Sequence, residues 1–174
     1  MLYIAYGSNI NLRQMAHRCP GARVVGPAEL TGYDLLFRGS RYNSHATVER
    51  LVGGSVPVLL WEIDKAHEQA LDVCEGWPNV YRKQIKRVQF EGKTRQGMMY
   101  VMNDADFGYP TTRYYATIRE GYESAGFDTC YLDRAVEQSR QLALEQDAKW
   151  AQLAAEYEQE LDSGQQSLYD FNWW

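Results

Sequence analysis

The residues with the clearest chemical potential lie near the start of the chain. Residues 2–6 are a short apolar run with β-branched and aromatic side chains, which predicts a buried strand ending at Gly7-Ser8-Asn9. A helical pattern follows, and Asn9 or Asn11 is available as its N-cap. Backbone N–H groups left unpaired at such a turn can bind an anionic or carbonyl oxygen. A bare Gly-Ser-Asn, taken alone, is better explained as an ordinary strand–turn–helix junction.

Glu75 is the candidate for proton transfer. The sequence predicts a helix that Asp64 caps and that ends at about Cys74, which places Glu75 at its C-terminus. The helix dipole disfavours a negative charge there, and Trp77 could limit solvation of the carboxylate. Both effects would raise the pKa of Glu75 toward the range useful in acid–base catalysis. A surface glutamate at a frayed helix end explains the position alone at least as well.

The cysteines form no recognisable metal or disulfide pattern. Cys19, Cys74 and Cys130 are scattered, without a Cys-x-x-Cys pair or histidines at ligand spacing, so neither a zinc site nor a disulfide framework is predicted. Cys74 adjoins Glu75 and must be considered as a thiol nucleophile, which usually needs a base such as histidine. No sequence signal ties a histidine to it, and we therefore interpret it as a packed or inert thiol.

Composition indicates one globular domain. The 174 residues are 45% apolar and 24% charged, which is sufficient for a core without disulfides or metal. The net charge of −5 argues against a nucleic-acid partner, and the basic residues between 82 and 87 are interpreted as a solvated strand face. Because no apolar run is long enough to span a membrane and no secretory signal is present, no membrane partner and a cytoplasmic location are expected.

The remaining pattern mixes strands and helices. Strands are predicted over residues 28–38, 46–49 and 56–63, with a polar loop over 39–44 and a turn at 53–55. Two further strands, 81–90 and 94–102, are predicted to form a hairpin. Helices are predicted over residues 64–74, 111–124 and 131–161. The fold class that follows is α+β.

Several motifs, in order along the chain, closely resemble the γ-glutamylcyclotransferase superfamily. Tyr6-Gly7-Ser8-Asn9 matches the turn with which that family opens, and Arg-Cys-Pro at 18–20 and Leu-Thr-Gly-Tyr at 30–33 follow it. The resemblance resumes at residues 61–63 and 70–82. It then continues in the spacing of Pro110, Tyr114, Ile118, Gly121 and Tyr122. The family's relatives include plant avirulence-induced proteins and γ-glutamylamine cyclotransferases.

The resemblance implies a fold and a reaction. The fold is a small mixed β-barrel flanked by helices, over residues 1–130. The helical pattern of the sequence adds a C-terminal extension over 131–174, where the resemblance is weakest. The reaction is intramolecular: the α-amino group of a small γ-glutamyl amine, amino acid or peptide attacks its own side-chain amide and releases 5-oxoproline. Such an amide-cleaving cyclotransferase requires no metal or other cofactor, because both reacting groups belong to one molecule.

The same resemblance implies roles for individual residues. Glu75 matches the family's catalytic glutamate and would act as general acid and base. Substrate-binding roles carry over to Tyr6, Gly7, Ser8, Asn9, Tyr81 and Tyr114, with the turn supplying backbone N–H groups and the tyrosines lining the pocket. As isolated residues, these tyrosines would more often be core aromatics.

Two other functions remain open: a non-catalytic module that binds a small ligand, and a γ-glutamyl amide hydrolase or acyltransferase. Pro57 stands where many relatives have glycine, so the leaving group could differ if that segment shapes the pocket. Arg41 and Asn43 are assigned, from polarity alone, to a loop that could close the pocket. The aromatic tail, residues 167–174, either folds back over the domain or joins the long helix in forming a homodimer.

Overall fold

The computed structural model describes the backbone of residues 1–169 and the side chains of residues 1–161. The strands are β1 (Leu2–Ala5), β2 (Arg23–Ser40), β3 (Asn43–Glu62), β4 (Tyr81–Phe90) and β5 (Lys93–Met102). The α-helices are α1 (Leu12–Arg18), α2 (Lys65–Cys74), α3 (Thr112–Ala125) and α4 (Thr129–Tyr169), and a short 3-10 helix, Ser8–Ile10, follows β1. The side chains of the aromatic tail, residues 167–174, predicted either to fold back over the domain or to form a homodimer, lie outside the described residues.

The five strands close into a barrel in the order β1-β3-β2-β4-β5. Two antiparallel hairpins, β2–β3 and β4–β5, supply most of the wall. Strand β1 pairs antiparallel with β3 and parallel with β5, where Tyr3 lies opposite Met98, and this parallel contact closes the barrel. The mixed barrel flanked by helices, expected from the resemblance, is confirmed. Large, fully buried side chains fill the core, among them Ile4, Phe37, Leu60, Met99, Ile118 and Tyr122.

The β2–β3 hairpin is longer and more continuous than predicted. The turn expected at residues 53–55 is wrong, because β3 runs through that segment. Thr31 pairs with Ser55 and Tyr33 with Arg50, so residues 51–54 form a bulge in the strand. Gly53 adopts a φ of 79°, and this backbone freedom serves a bulge as well as it would a turn. The predicted loop at 39–44 is a two-residue turn, since Ser40 pairs with Asn43.

The β4–β5 hairpin forms as predicted, with Glu91 and Gly92 both at positive φ in its turn. Its basic residues do not make a uniformly solvated face. Lys83 Nζ lies 2.5 Å from Glu68 Oε1 and 2.9 Å from Asp72 Oδ2, which ties β4 to α2. The lysine therefore positions the helix that precedes Glu75.

The helices pack on the outside of the barrel. Asp64 caps α2 as predicted: its carboxylate accepts the His67 N–H, while its own N–H donates to His67 Nδ1. The first half of α4 packs on β2, where Ser139 Oγ accepts the Phe37 N–H at 2.8 Å. The side chains of residues 147–161 are all exposed. Among the helices described, none has the length and apolar character needed to cross a membrane.

Candidate active site

The seven residues to which the resemblance assigns catalytic or substrate-binding roles meet around one small cavity, termed here the inner cavity. Its volume is about 30 Å³, and its walls include Tyr6, Gly7, Ser8, Asn9, Glu75, Tyr81 and Tyr114. A larger outer cavity of about 320 Å³ adjoins it. The two cavities share Ser8, Glu75, Tyr81 and Tyr114. Glu75 thus stands where the two cavities meet.

The Gly7–Asn9 turn has its own local structure. Ser8 and Asn9 begin the 3-10 helix, and Asn11, not Asn9, caps α1 by accepting the Gln14 N–H at 3.0 Å. Of the two N-caps that the sequence offers, Asn11 is confirmed, and the short 3-10 helix lies between the turn and α1. A Cβ at Gly7 would lie 3.2 Å from Ala46 Cβ and 3.3 Å from Tyr114 Oη, so glycine lets the turn approach the cavity wall.

The side chain of Asn9 connects the turn to the carboxylate. Asn9 Nδ2 donates to Glu75 Oε1 at 2.9 Å and to Tyr3 Oη at 2.8 Å. Asn9 Oδ1 accepts from Arg18 Nη1 at 2.8 Å and from Gln14 Nε2 at 3.3 Å. Both ends of the amide are therefore occupied, and the N–H end faces Glu75.

Glu75 lies at the C-terminal end of α2, and its side chain is only 15% exposed. Burial raises the pKa of Glu75, while Arg18 and the hydrogen bond from Asn9 act in the opposite direction. Trp77, expected to shield the carboxylate, is 46% exposed and stacks instead against the Lys83 ammonium at 4.8 Å. That expectation is wrong, because Trp77 lines neither of the two cavities beside Glu75.

The tyrosines that line the inner cavity are buried and neutral. Burial raises the pKa of Tyr114 to about 12, and it raises the pKa values of Tyr6 and Tyr81 well above the ordinary value of a tyrosine. Tyr6 donates its hydroxyl proton to the Tyr100 carbonyl, and Tyr81 donates its own to the Ala46 carbonyl. These two hydroxyls can only accept a hydrogen bond from a ligand. Tyr114 Oη instead accepts the Ala46 N–H at 3.2 Å, which leaves its proton for another partner.

Several residues singled out from the sequence lie elsewhere or differ in burial. Arg41 pairs with Asp147 of α4 at 2.7 Å, and Asn43 is an exposed residue beside the β2–β3 turn; neither lines the two cavities at Glu75. Pro57 lines a separate surface groove beside the start of α4. Cys74 is exposed at the outer cavity, so it is not a packed thiol, and the alternative of an inert thiol stays a prediction. His45 borders the same cavity, but within the described residues no hydrogen bond joins it to Cys74.

Comparison with known proteins identifies the family of the chain. Residues 3–122 match the model of the family described as gamma-glutamyl cyclotransferase, AIG2-like. The chain belongs to this family. Human gamma-glutamylcyclotransferase is 27% identical over 142 residues, which cover 76% of each chain.

Solved structures place the fold in the same family. A structure named gamma-glutamyl cyclotransferase superposes with a TM-score of 0.70 at 26% identity, covering 77% of this chain and 85% of that one. YkqA from Bacillus subtilis superposes with a TM-score of 0.68 at 22% identity, covering 82% of this chain and 55% of its own, and supports the fold alone. The family match includes all seven predicted site residues and ends at Tyr122, before α4.

Sequence reasoning missed four residues of the site: Tyr3, Gln14, Arg18 and Tyr100. Gln14 and Arg18 are one helical turn apart on α1, a spacing that predicts a shared face but not what the face contacts. Tyr3 and Tyr100 are distant in the sequence, and their rings come into contact because β1 pairs with β5. No local pattern in the sequence predicts that pairing.

Proposed function

We propose that this protein is a cyclotransferase that releases 5-oxoproline from a small γ-glutamyl amine, amino acid or peptide, with Glu75 as general acid and base. The observation that carries the proposal is the buried Glu75 carboxylate, held by Asn9 at the junction of a small and a larger cavity. Family membership supports the general class of reaction, and the geometry supports the assignment of this residue.

Glu75 has the properties that the proton transfers need. A γ-glutamyl substrate carries its α-amino group as an ammonium, which must lose a proton before it can attack the γ-carbonyl carbon. Burial raises the pKa of Glu75 and makes it a stronger base than an exposed glutamate. The attacking nitrogen forms the new C–N bond as the amide C–N bond breaks. In the net reaction two protons move to the leaving nitrogen, which departs as an ammonium, and Glu75 returns to its initial state.

The sizes of the two cavities suggest which part of the substrate each cavity binds. A space of about 30 Å³ matches the volume of roughly one water molecule, so the inner cavity accepts a single small polar group. A substrate carboxylate or carbonyl oxygen there would meet the backbone of Gly7 and Ser8 and the hydroxyl of Tyr114. The outer cavity, about ten times larger, has room for the leaving group. Hydrogen bonds that strengthen as the carbonyl becomes an oxyanion would increase the rate.

The direct test is a panel of γ-glutamyl amino acids, amines and peptides, scored by mass spectrometry for 5-oxoproline. We expect turnover by the parent protein and a loss of at least about 10²-fold in Glu75→Gln, since general acid–base catalysis contributes roughly 10²–10⁴-fold. Glutamine keeps the shape of the side chain, and thermal unfolding verifies that the variant is folded. Glu123→Gln, an exposed change on α3, is the matched control and should retain full activity.

Blocking the substrate's α-amino group separates the alternatives. An N-acetylated substrate cannot cyclise, and we expect no release of its amine. Amine release from the acetylated substrate would indicate a hydrolase or acyltransferase instead. Ligand binding that survives Glu75→Gln, with no 5-oxoproline from any member of the panel, would favour a non-catalytic binding module.

A further inference from the structure

Arg18 is the last residue of α1, and its guanidinium reaches toward the junction of the two cavities. Arg18 Nη1 lies 3.7 Å from Glu75 Oε1 and donates to Asn9 Oδ1 at 2.8 Å. The arginine side chain is 26% exposed, and the glutamate side chain is 15% exposed. An ion pair this buried is screened much less than one on the surface, so it can influence the carboxylate strongly.

Arg18 also fixes which way the Asn9 amide points. The oxygen and nitrogen ends of an asparagine have the same shape, so only hydrogen bonds select the orientation. Arg18 and Gln14 both donate to Oδ1, and this leaves the N–H end to face Glu75. With the amide reversed, its oxygen would meet the carboxylate and repel it. The arginine therefore acts on Glu75 directly, by charge, and indirectly, through Asn9.

The groups that face Glu75 from the other elements do not replace this charge. They are Tyr3 and Tyr6 from β1 and the turn after it, His45 from β3, Tyr81 from β4, Tyr100 from β5 and Tyr114 from α3. The five tyrosines are neutral because burial raises their pKa values. Burial, and then Arg18, lower the pKa of His45, so the imidazole is also neutral near pH 7. Among the described residues around Glu75, Arg18 supplies the positive charge.

We propose that Arg18 is a positioning residue: it orients the Asn9 amide and keeps Glu75 as a carboxylate until the substrate's ammonium delivers its proton. This inference rests on the proposed function. In this role Arg18 acts on Asn9 and Glu75 before the chemical step and does not contact the substrate.

The pH dependence of turnover distinguishes this role from substrate binding. Activity that needs the Glu75 carboxylate rises through the pKa of Glu75 as pH increases. Removal of the guanidinium raises that pKa, so in Arg18→Met the acid limb of the kcat/KM profile moves to higher pH. We expect a shift of about one pH unit, equivalent to a roughly tenfold loss on the acid side and recovery at high pH. Arg18→Lys, which keeps the charge but not the fork of donors, should lie between the parent and Arg18→Met.

Arg13→Met is the matched control. Arg13 is on the same helix and pairs with Glu120, but its side chain is 87% exposed, so its profile should superimpose on that of the parent. A loss in Arg18→Met that is equal at every pH and appears as a raised KM would overturn the proposal and indicate a substrate contact. An unchanged profile would overturn it as well.

A titration without substrate keeps the inference separate from the proposed function. Glutamate labelled with ¹³C at the carboxyl allows the Glu75 signal, assigned by its absence in Glu75→Gln, to be followed by NMR. We expect the titration midpoint of Glu75 to lie higher in Arg18→Met than in the parent, and an equal midpoint would contradict the inference. Failure of the parent to form 5-oxoproline would contradict the proposed function alone. If Arg18→Met does not fold, the same comparison is made with Arg18→Lys.

Discussion

At the scale of single residues, Asn9 does more in the folded protein than the turn motif indicates. Its side chain takes part in four hydrogen bonds: two donated, to Tyr3 and Glu75, and two accepted, from Gln14 and Arg18. Its backbone carbonyl accepts the Trp61 Nε1–H at 3.1 Å. The residue therefore joins the turn, the barrel wall and the carboxylate, and its donor and acceptor ends have separate functions that substitution can test.

Asn9→Asp removes the donor end and retains the acceptor end. Aspartate keeps the shape and can still accept from Arg18 and Gln14, but it places a second negative charge against Glu75. A hydrogen bond to a charged group contributes about 1.5–3 kcal/mol, so we expect kcat/KM at neutral pH to fall roughly 10- to 100-fold. Asn43→Asp, at an exposed position beside the β2–β3 turn, provides the control and should be unaffected. Equal activity in the two variants would show that the donated bond is not needed.

The local features of the site were predictable, and its tertiary contacts were not. Asp64 as the cap of α2, and Glu75 at its end, follow from patterns within a dozen residues. The error at Trp77 has a physical cause: a neighbour in sequence just after a helix turns away with the chain and here packs on Lys83. Arg18 and Tyr3 reach the carboxylate only through the packing of elements that are distant in sequence.

At the scale of elements, the contact between α3 and the 3-10 helix holds the two sides of the inner cavity together. A Cβ at Gly121 would lie 2.8 Å from the Asn11 backbone nitrogen and 2.9 Å from the Ile10 carbonyl carbon. The absence of a side chain there lets α3 rest on the backbone that follows Asn9. Tyr114, two turns earlier on α3, is thereby placed against Ala46 and the inner cavity.

Gly121→Ala tests this close approach. Alanine favours a helix over glycine by about 1 kcal/mol, so without a clash the variant would be more stable. Overpacking costs typically 1–3 kcal/mol, and here the obstacle is backbone that cannot move aside easily. We expect a lower Tm, by roughly 2–4 °C for each net kcal/mol, together with reduced kcat/KM as Tyr114 shifts. In contrast, Ser124→Ala on the exposed face of α3 should keep or raise the Tm; a higher Tm in Gly121→Ala would contradict the assignment.

The strands show why pattern alone yields a fold class and not a topology. Residues 81–90 lie in a strand as predicted, and so do residues 56–62 of the predicted run 56–63, because β-branched and apolar runs are local signals. The Gly53-Gly54 pair has the same sequence signature in a turn and in a bulge. A Cβ at Gly54 would lie 2.4 Å from the Tyr33 carbonyl oxygen, a constraint that exists only once β2 and β3 are paired. Closure through the parallel β1–β5 contact is likewise visible only in the fold.

At the scale of the whole molecule, α4 has two halves with different surroundings. Leu132, Ala135, Ser139 and Ala143 are buried against the domain. Further along the same face, Trp150, Leu153, Tyr157 and Leu161 are exposed. The division of the chain at residue 130, and a homodimer formed through the extension, stay predictions. The burial pattern indicates that the part of α4 that stabilises the domain ends within the helix, between Ala143 and Trp150, and that the start of α4 belongs to the folded domain.

Truncation at two positions separates these possibilities. A chain of residues 1–150 loses only exposed side chains among those described, so we expect its Tm to stay within about 2 °C of the parent and its turnover to be unchanged. A chain of residues 1–130 removes the buried half of α4 and leaves the Phe37 N–H without Ser139. Burial of a large apolar side chain contributes about 1.5–3 kcal/mol, and the 1–130 chain loses Leu132 together with the other buried positions of α4. The Tm of the 1–130 chain should therefore fall by at least about 10 °C. A stable, active 1–130 chain would instead show that the barrel folds without α4.

Light scattering on the same samples tests the homodimer. If the exposed half of α4 joins two copies, the full chain has twice the monomer mass and the 1–150 chain does not.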